Sequence, residues 1–210
     1  MQFKCKVTII ILLFVVLQNV NSQNWEVRTL HSINETESTK GYSIFISNTT
    51  RTIVFATPLT LGAVALIKKN DELLKDAAYL GATSIIAALL TDGMKRSINR
   101  ARPAETYPFL INAHSMTKDR AFPSGHASSA FALATSLTLK YPKWYVVAPA
   151  YFWASSVGYS RMNLGMHYPS DVAAGAVLGA GSAYLTYLIN DWFWKKHDNK
   201  KLLSDTSYWN

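Results

Sequence analysis

Five apolar blocks interrupt an otherwise mixed sequence: Thr52 to Ile67, Ala77 to Leu90, Ala127 to Leu139, Trp144 to Tyr159 and Val172 to Ile189. Alanine is frequent in them and β-branched alternation is absent, so the pattern predicts five helices. A membrane crossing needs about 20 apolar residues. Only the fifth block, uncharged throughout, comes close. The shorter four also suit the buried helices of a soluble bundle, although terminal lysines and tryptophans can lengthen a short span. Residues 23–51 are polar and predict one or two short helices outside the core, and residues 195–210 form a short basic tail. At the start, Lys4 and Lys6 precede an apolar run from Val7 to Leu17, and Val20-Asn21-Ser22 follows. This is the layout of a secretory signal peptide, with an uncleaved signal anchor as the competing reading. The expected organisation is therefore a signal peptide or anchor (1–22), a polar exported segment (23–51), a helical-bundle domain (52–194) and the tail (195–210). The fold class is all-α, a polytopic bundle of five or six spans.

Charge sharpens the choice between membrane and soluble bundle. The chain is 49% hydrophobic and only 16% charged, below the ~25% usual for soluble domains. With the N-terminus inside, the segments 1–6, 68–75, 140–143 and 195–210 hold 11 Lys/Arg in 34 residues. The opposite segments 21–51, 91–126 and 159–171 hold 10 in 80. That density difference, with Trp144, Trp192 and Trp194 at the inner interface, favours a membrane protein. The net charge of +8 suits nucleic acid, an anionic membrane or an anionic substrate. Zinc-ligand spacing, an aromatic-and-basic RNA motif and a long basic tail are all missing, so no nucleic-acid partner is expected. Cys5 is the single cysteine. It forms no intramolecular disulfide and belongs to no Cys/His cluster, so neither metal nor cofactor is expected. Two sequons, Asn34-Glu35-Thr36 and Asn48-Thr49-Thr50, matter only where secreted proteins are glycosylated.

Three clusters carry candidate chemistry, and alternating spans put all three on the outer side. In the first, Lys95 and Arg102 are seven residues apart, two turns along one helical face, before Pro103 ends the helix. Two cations on one face suit a phosphate. In the second, Pro123-Ser124-Gly125-His126 precedes the Ala127 helix. Ser124 can cap that helix, and its free N–H groups make an anion site beside His126. In the third, Arg161 precedes His167 and Asp171, which are four apart at the helix that Pro169 begins. A carboxylate on one imidazole nitrogen leaves the other nucleophilic. Together Lys95, Arg102 and Arg161 would neutralise phosphoryl oxygens, with Ser124 and Gly125 completing the cradle. His167 would attack, oriented by Asp171, and His126 would protonate the leaving oxygen. Gly175 and Gly179, one turn apart, suit close helix packing. His31 and His197 read as surface residues. His114 reads as a loop histidine that could line the site mouth.

The pattern Lys-x6-Arg-Pro, Pro-Ser-Gly-His and Ser-Arg-x5-His-x3-Asp resembles the signature of the type-2 phosphatidic acid phosphatase superfamily, which includes bacterial class A acid phosphatases and vanadium haloperoxidases. It is carried here by Lys95, Arg102, Pro103, Pro123, Ser124, Gly125, His126, Ser160, Arg161, His167 and Asp171. The resemblance covers roughly residues 50–190. It implies a helical-bundle core, a phosphohistidine intermediate and hydrolysis without a metal. It also implies six spans in membrane members, the first two motifs between the third and fourth and the last between the fifth and sixth. Cleavage near Ser22 would leave five spans.

The leading expectation is a membrane phosphatase acting on a lipid phosphate or diphosphate at the periplasmic or extracellular face. The alternative is a soluble secreted acid phosphatase with the same site. A vanadate-dependent haloperoxidase fits less well, because the resemblance implies much longer chains. A non-enzymatic scaffold leaves the whole constellation without a use. The phosphorylated substrate and the oligomeric state are not legible at this level.

Overall fold

The computed structural model describes residues 22–206 apart from 116 and 118, so the expected signal peptide or anchor lies outside the described residues. All regular structure among the described residues is helical. The helices are α1 (Ser22–Asn34), α2 (Lys40–Lys68), α3 (Asp71–Ile98), a single turn α4 (Pro103–Thr106), α5 (Gly125–Lys140), α6 (Trp144–Asn163) and α7 (Pro169–Thr206). Each predicted apolar block falls within one of the five long helices. A short 3-10 turn, Glu37–Thr39, joins α1 to α2.

Local chemistry fixes the ends. Asn70 caps α3 by accepting from the Leu73 N–H, and Asp71 and Glu72 follow in its first turn. At the other end Asn99 takes the left-handed conformation and stops the helix at Ile98. The expectation that Lys95 and Arg102 share one helix is therefore corrected. Arg102 is extended, as a residue before proline must be, and starts the separate turn α4. Pro169 opens α7 as expected.

Central to the bundle is α5, which packs against α2, α3, α6 and α7. Its 16 residues reach only about 24 Å at 1.5 Å per residue. Its neighbours shelter it, and all its buried positions but Leu133 are small: Ala127, Ser128, Ala130, Ala132, Ala134 and Ser136. The closest approach is to α7. A Cβ on Gly175 would lie 2.5 Å from the Ser124 carbonyl oxygen, and one on Gly179 would lie 2.1 Å from that of Ser128. Only glycine admits such contact, so the expected packing role of the pair is met.

Three stretches are long and apolar enough to cross a bilayer: Glu37–Lys68, Asp71–Thr106 and Pro169–Trp194. Their outward faces carry Phe55, Leu59, Leu66, Ile85, Leu89, Val177 and Ile189, all exposed on the chain itself. The protein is an all-α membrane protein with helices that span the bilayer.

The N-terminal part departs from expectation. The boundary placed after residue 51 falls inside α2, whose Ser43, Ser47, Thr50 and Val54 are all buried. Nor does α1 lie outside the core, since Val27 and Leu30 pack with Ala104, Ile111 and Tyr168. Asn34 is buried as well. Its amide donates to the Asn112 and Asn163 carbonyls at 2.9 Å, and its oxygen accepts from the Asn112 N–H at 2.8 Å. Polar composition hid this segment, because most of what it buries, Glu26, Asn34, Ser43, Ser47 and Thr50, is polar and forms no apolar stripe.

Candidate active site

The end of α3, the start of α5, the end of α6 and the start of α7 meet at one end of the bundle. Between them lies a cavity of about 920 Å³ lined by Lys95, Arg102, Gly125, His126, Arg161 and His167. His114, Thr117 and Asp119 form its rim, and His114 is exposed there. All three sequence motifs therefore contribute to one site.

His167 is 2% exposed. Its Nδ1 lies 2.8 Å from the Ala121 carbonyl oxygen. A carbonyl only accepts, so Nδ1 carries the proton and Nε2 keeps the lone pair. Burial, with Arg102 and Arg161 nearby, lowers the His167 pKa to about 4, and Asp171 opposes that shift. The ring is neutral at ordinary pH and keeps a free lone pair on Nε2.

Asp171 was expected to hold that ring directly. Its Oδ2 lies 3.7 Å from Nδ1, beyond a hydrogen bond. That oxygen instead accepts the Tyr168 N–H at 2.9 Å, as a helix-entry residue does. Asp171 thus acts on His167 through charge, while the Ala121 carbonyl sets its orientation. Sequence could not reveal this, because a main-chain carbonyl has no residue type.

The cations are held in place before any ligand arrives. Arg102 Nε donates to the Asp119 carbonyl and a terminal nitrogen to the Met166 carbonyl, both at 2.8 Å. Lys95 reaches the Asp119 carboxylate at 3.0 Å and the Arg120 carbonyl at 2.9 Å. The Lys95 bond keeps the Asp119 pKa below its usual value. Arg161 is 8% exposed and donates one bond, to Ser47 Oγ at 2.6 Å. Its Nε is buried without a partner among the described residues. Arg161 lines the cavity, and a buried guanidinium there is costly unless an anion completes it.

At the start of α5, Ser124 is fully buried, and its hydroxyl accepts weakly from the Ala127 N–H at 3.5 Å. Gly125 and His126 face the cavity one and two residues later, where a helix has N–H groups free of internal partners. His126 precedes the apolar block of α5. Burial first, then Arg161 and the other cations, lower its pKa to about 3. Among the described residues no three His, Cys, Asp or Glu side chains converge as metal ligands.

Two residues that sequence reasoning passed over complete the surroundings. Arg100 donates to Asp171 Oδ1 at 2.7 Å and to Glu26 Oε2 at 2.8 Å. Glu26 lies on α1, 74 residues away in sequence. A buried acid in a polar helix was the one available signal.

Fold and site together define a membrane helical bundle with a preformed anion pocket around a buried neutral histidine. The chain belongs to the PAP2 superfamily, whose family model matches residues 76–195. It is 30% identical over 191 residues to an undecaprenyl-diphosphatase of Sulfolobus acidocaldarius, covering 86% of this chain and 89% of that protein. It is 35% identical over 118 residues to a lipid A 1-phosphatase of Rhizobium johnstonii, covering 53% of this chain and 47% of that one. The chain thus spans about half the length of the lipid A 1-phosphatases it matches. A transmembrane PAP2-type phosphatidylglycerolphosphate phosphatase from Bacillus subtilis shares the fold, with a TM-score of 0.70 at 20% identity over 89% of this chain and 95% of that one.

Proposed function

We propose that this protein hydrolyses a lipid phosphate or diphosphate through a phosphohistidine on His167, with the site on the periplasmic or extracellular side. The observation that carries the reading is the convergence of Lys95, Arg102 and Arg161 on one cavity with the neutral His167. Phosphoryl transfer asks chiefly for positioning and for positive charge around the equatorial oxygens. Arg161, Arg102, Lys95 and the first N–H groups of α5 supply both.

In the first step His167 Nε2 bonds to phosphorus as the bond from phosphorus to the lipid oxygen breaks. His126 gives its proton to that oxygen. Water then attacks the phosphohistidine, His126 takes the water's proton, and inorganic phosphate leaves. His126 is neutral in the empty pocket, so its proton has to come with the substrate. A phosphate monoanion brings one, and its charge offsets the cations that hold the His126 pKa down.

A lipid suits the shape of the cavity. From the cationic end it continues between α2 and α3 past Val54, Phe55, Ser84 and Ala88. Phe55 is 61% exposed on the bundle surface, so an alkyl chain in this groove would meet the bilayer. The relatives named above, a lipid A phosphatase and a polyprenyl-diphosphatase, act on substrates of this class. The density of Lys/Arg in the opposite segments supports an outward-facing site. The soluble acid phosphatase reading leaves the apolar outer faces uncovered.

Detergent-solubilised protein should release phosphate from at least one member of a panel of phosphatidate, phosphatidylglycerol phosphate, polyprenyl diphosphate and lipid A, in excess EDTA. Failure on every lipid, with turnover of p-nitrophenyl phosphate alone, would favour the acid phosphatase reading.

A further inference from the structure

Behind His167 runs a row of charges that the catalytic steps do not use. Glu26 of α1 is 4% exposed and Asp171 is fully buried. Arg100 stands between them, its two terminal nitrogens divided between the two carboxylates. It also donates to Ser170 Oγ at 2.7 Å and lies 4.1 Å over the Tyr168 ring. The second oxygen of Glu26 accepts the Ser170 N–H at 3.2 Å. Signs alternate along the row: Glu26 negative, Arg100 positive, Asp171 negative, and then His167. The His167 ring becomes cationic once Nε2 is bonded to phosphorus and Nδ1 keeps its proton.

We propose that Glu26 and Arg100 are positioning residues that set how much of the Asp171 charge reaches His167, which makes α1 part of the active site. This rests on the reading of His167 as the nucleophile. Asp171 uncompensated would favour the protonated ring and remove its lone pair in mild acid. Asp171 fully neutralised would give the cationic phosphohistidine less support. Arg100 sits between these limits because Glu26 draws off part of its charge. Three buried or half-buried charges in one hydrogen-bonded row interact far more strongly than surface pairs.

The test is the pH dependence of kcat/KM in detergent for wild type, Arg100→Gln and Glu26→Gln, with one lipid phosphate as substrate. The other charged groups facing His167 are Asp171 in the first turn of α7, Arg102, Arg161, His126 and Asp119. All are unchanged in both variants, and ionisation of the substrate cancels in the comparison. In Arg100→Gln the acid limb should move up by about one pH unit or more, the scale on which a close charge acts. In Glu26→Gln it should move down. That variant is isosteric and keeps an acceptor for the Ser170 N–H, so it decides the matter if Arg100→Gln does not fold. A purely structural role would lower kcat/KM at every pH and leave the limb in place. An unmoved or raised limb in Glu26→Gln overturns the proposal. A wild-type protein without turnover overturns instead the catalytic reading beneath it.

Discussion

The seam between α5 and α7 and the wall formed by α2 and α3 are built on opposite principles. Along the seam the side chains are alanine, serine and glycine, and backbones touch. Across the wall the side chains are larger and partly open to the bilayer, and the cavity runs between them. At the head of the seam stand the candidate site residues: His126 in the first turn of α5, with His167 just before α7 and Asp171 in its first turn. A Ser124 N–H bond of 2.9 Å to the Asp171 carbonyl ties the two starts together. Reacting groups need sub-ångström placement, whereas a lipid chain needs only apolar room. The closest backbone contacts of the bundle lie beside the candidate site.

Breaking the seam chemically should have the largest effect. His167→Ala should abolish phosphate release while the purified protein still folds, with a melting temperature lowered by loss of the buried bond to the Ala121 carbonyl. Retained turnover would remove His167 from its assigned place. His126→Ala should slow phosphoenzyme formation by about 10²–10⁴-fold on a lipid alkoxide, the usual range for general acid catalysis. It should act far less on p-nitrophenyl phosphate, whose leaving group departs without a proton. Equal losses on both substrates would mean that His126 positions phosphate instead.

Acidity sharpens the same comparison. Below a pH of about 4 His167 gains a proton and loses its lone pair. Above a pH of about 6 a phosphate monoester sheds the proton that His126 needs. The kcat/KM for a lipid monophosphate should peak between these limits and fall about tenfold per unit outside them. A plateau rising into alkaline pH would contradict this.

Two structural substitutions complete the series. Gly179→Ala should cost about 1–3 kcal/mol, the usual range for overpacking, seen as a lowered melting temperature in detergent. Gly181→Ala, on the same helix with open space around it, should stay within about 0.5 kcal/mol of wild type. On the wall, Ala88→Leu should raise KM for a lipid substrate by about tenfold and leave p-nitrophenyl phosphate hydrolysis unaltered. Equal effects on both substrates would place the lipid chain elsewhere.

What the sequence made legible follows the range of the interactions involved. The five apolar blocks, the Pro169 helix start and the glycine pair are local patterns, and each stands where expected. The three motifs lie at one end because alternating helices return there. The hold on His167 by a carbonyl, the halt of α3 at Asn99 and the pairing of Glu26 with Arg100 were not legible. They depend on main-chain atoms, on one left-handed residue and on a contact 74 positions apart. Residues 23–51 misled for a related reason. Much of their burial is polar, so a reading of hydrophobicity places them outside.

Asn34 has a consequence for how the protein can be made. Its side-chain amide is the nitrogen to which a host would attach a sugar at the Asn34-Glu35-Thr36 sequon. In the folded protein that nitrogen is enclosed and already donates to two carbonyls. A glycan added during translocation would keep α1 from docking and leave Glu26 away from Arg100. Production in a glycosylating host should therefore give a mixture in which only the unmodified fraction is active, and Asn34→Asp would not repair it, because a carboxylate cannot donate those bonds.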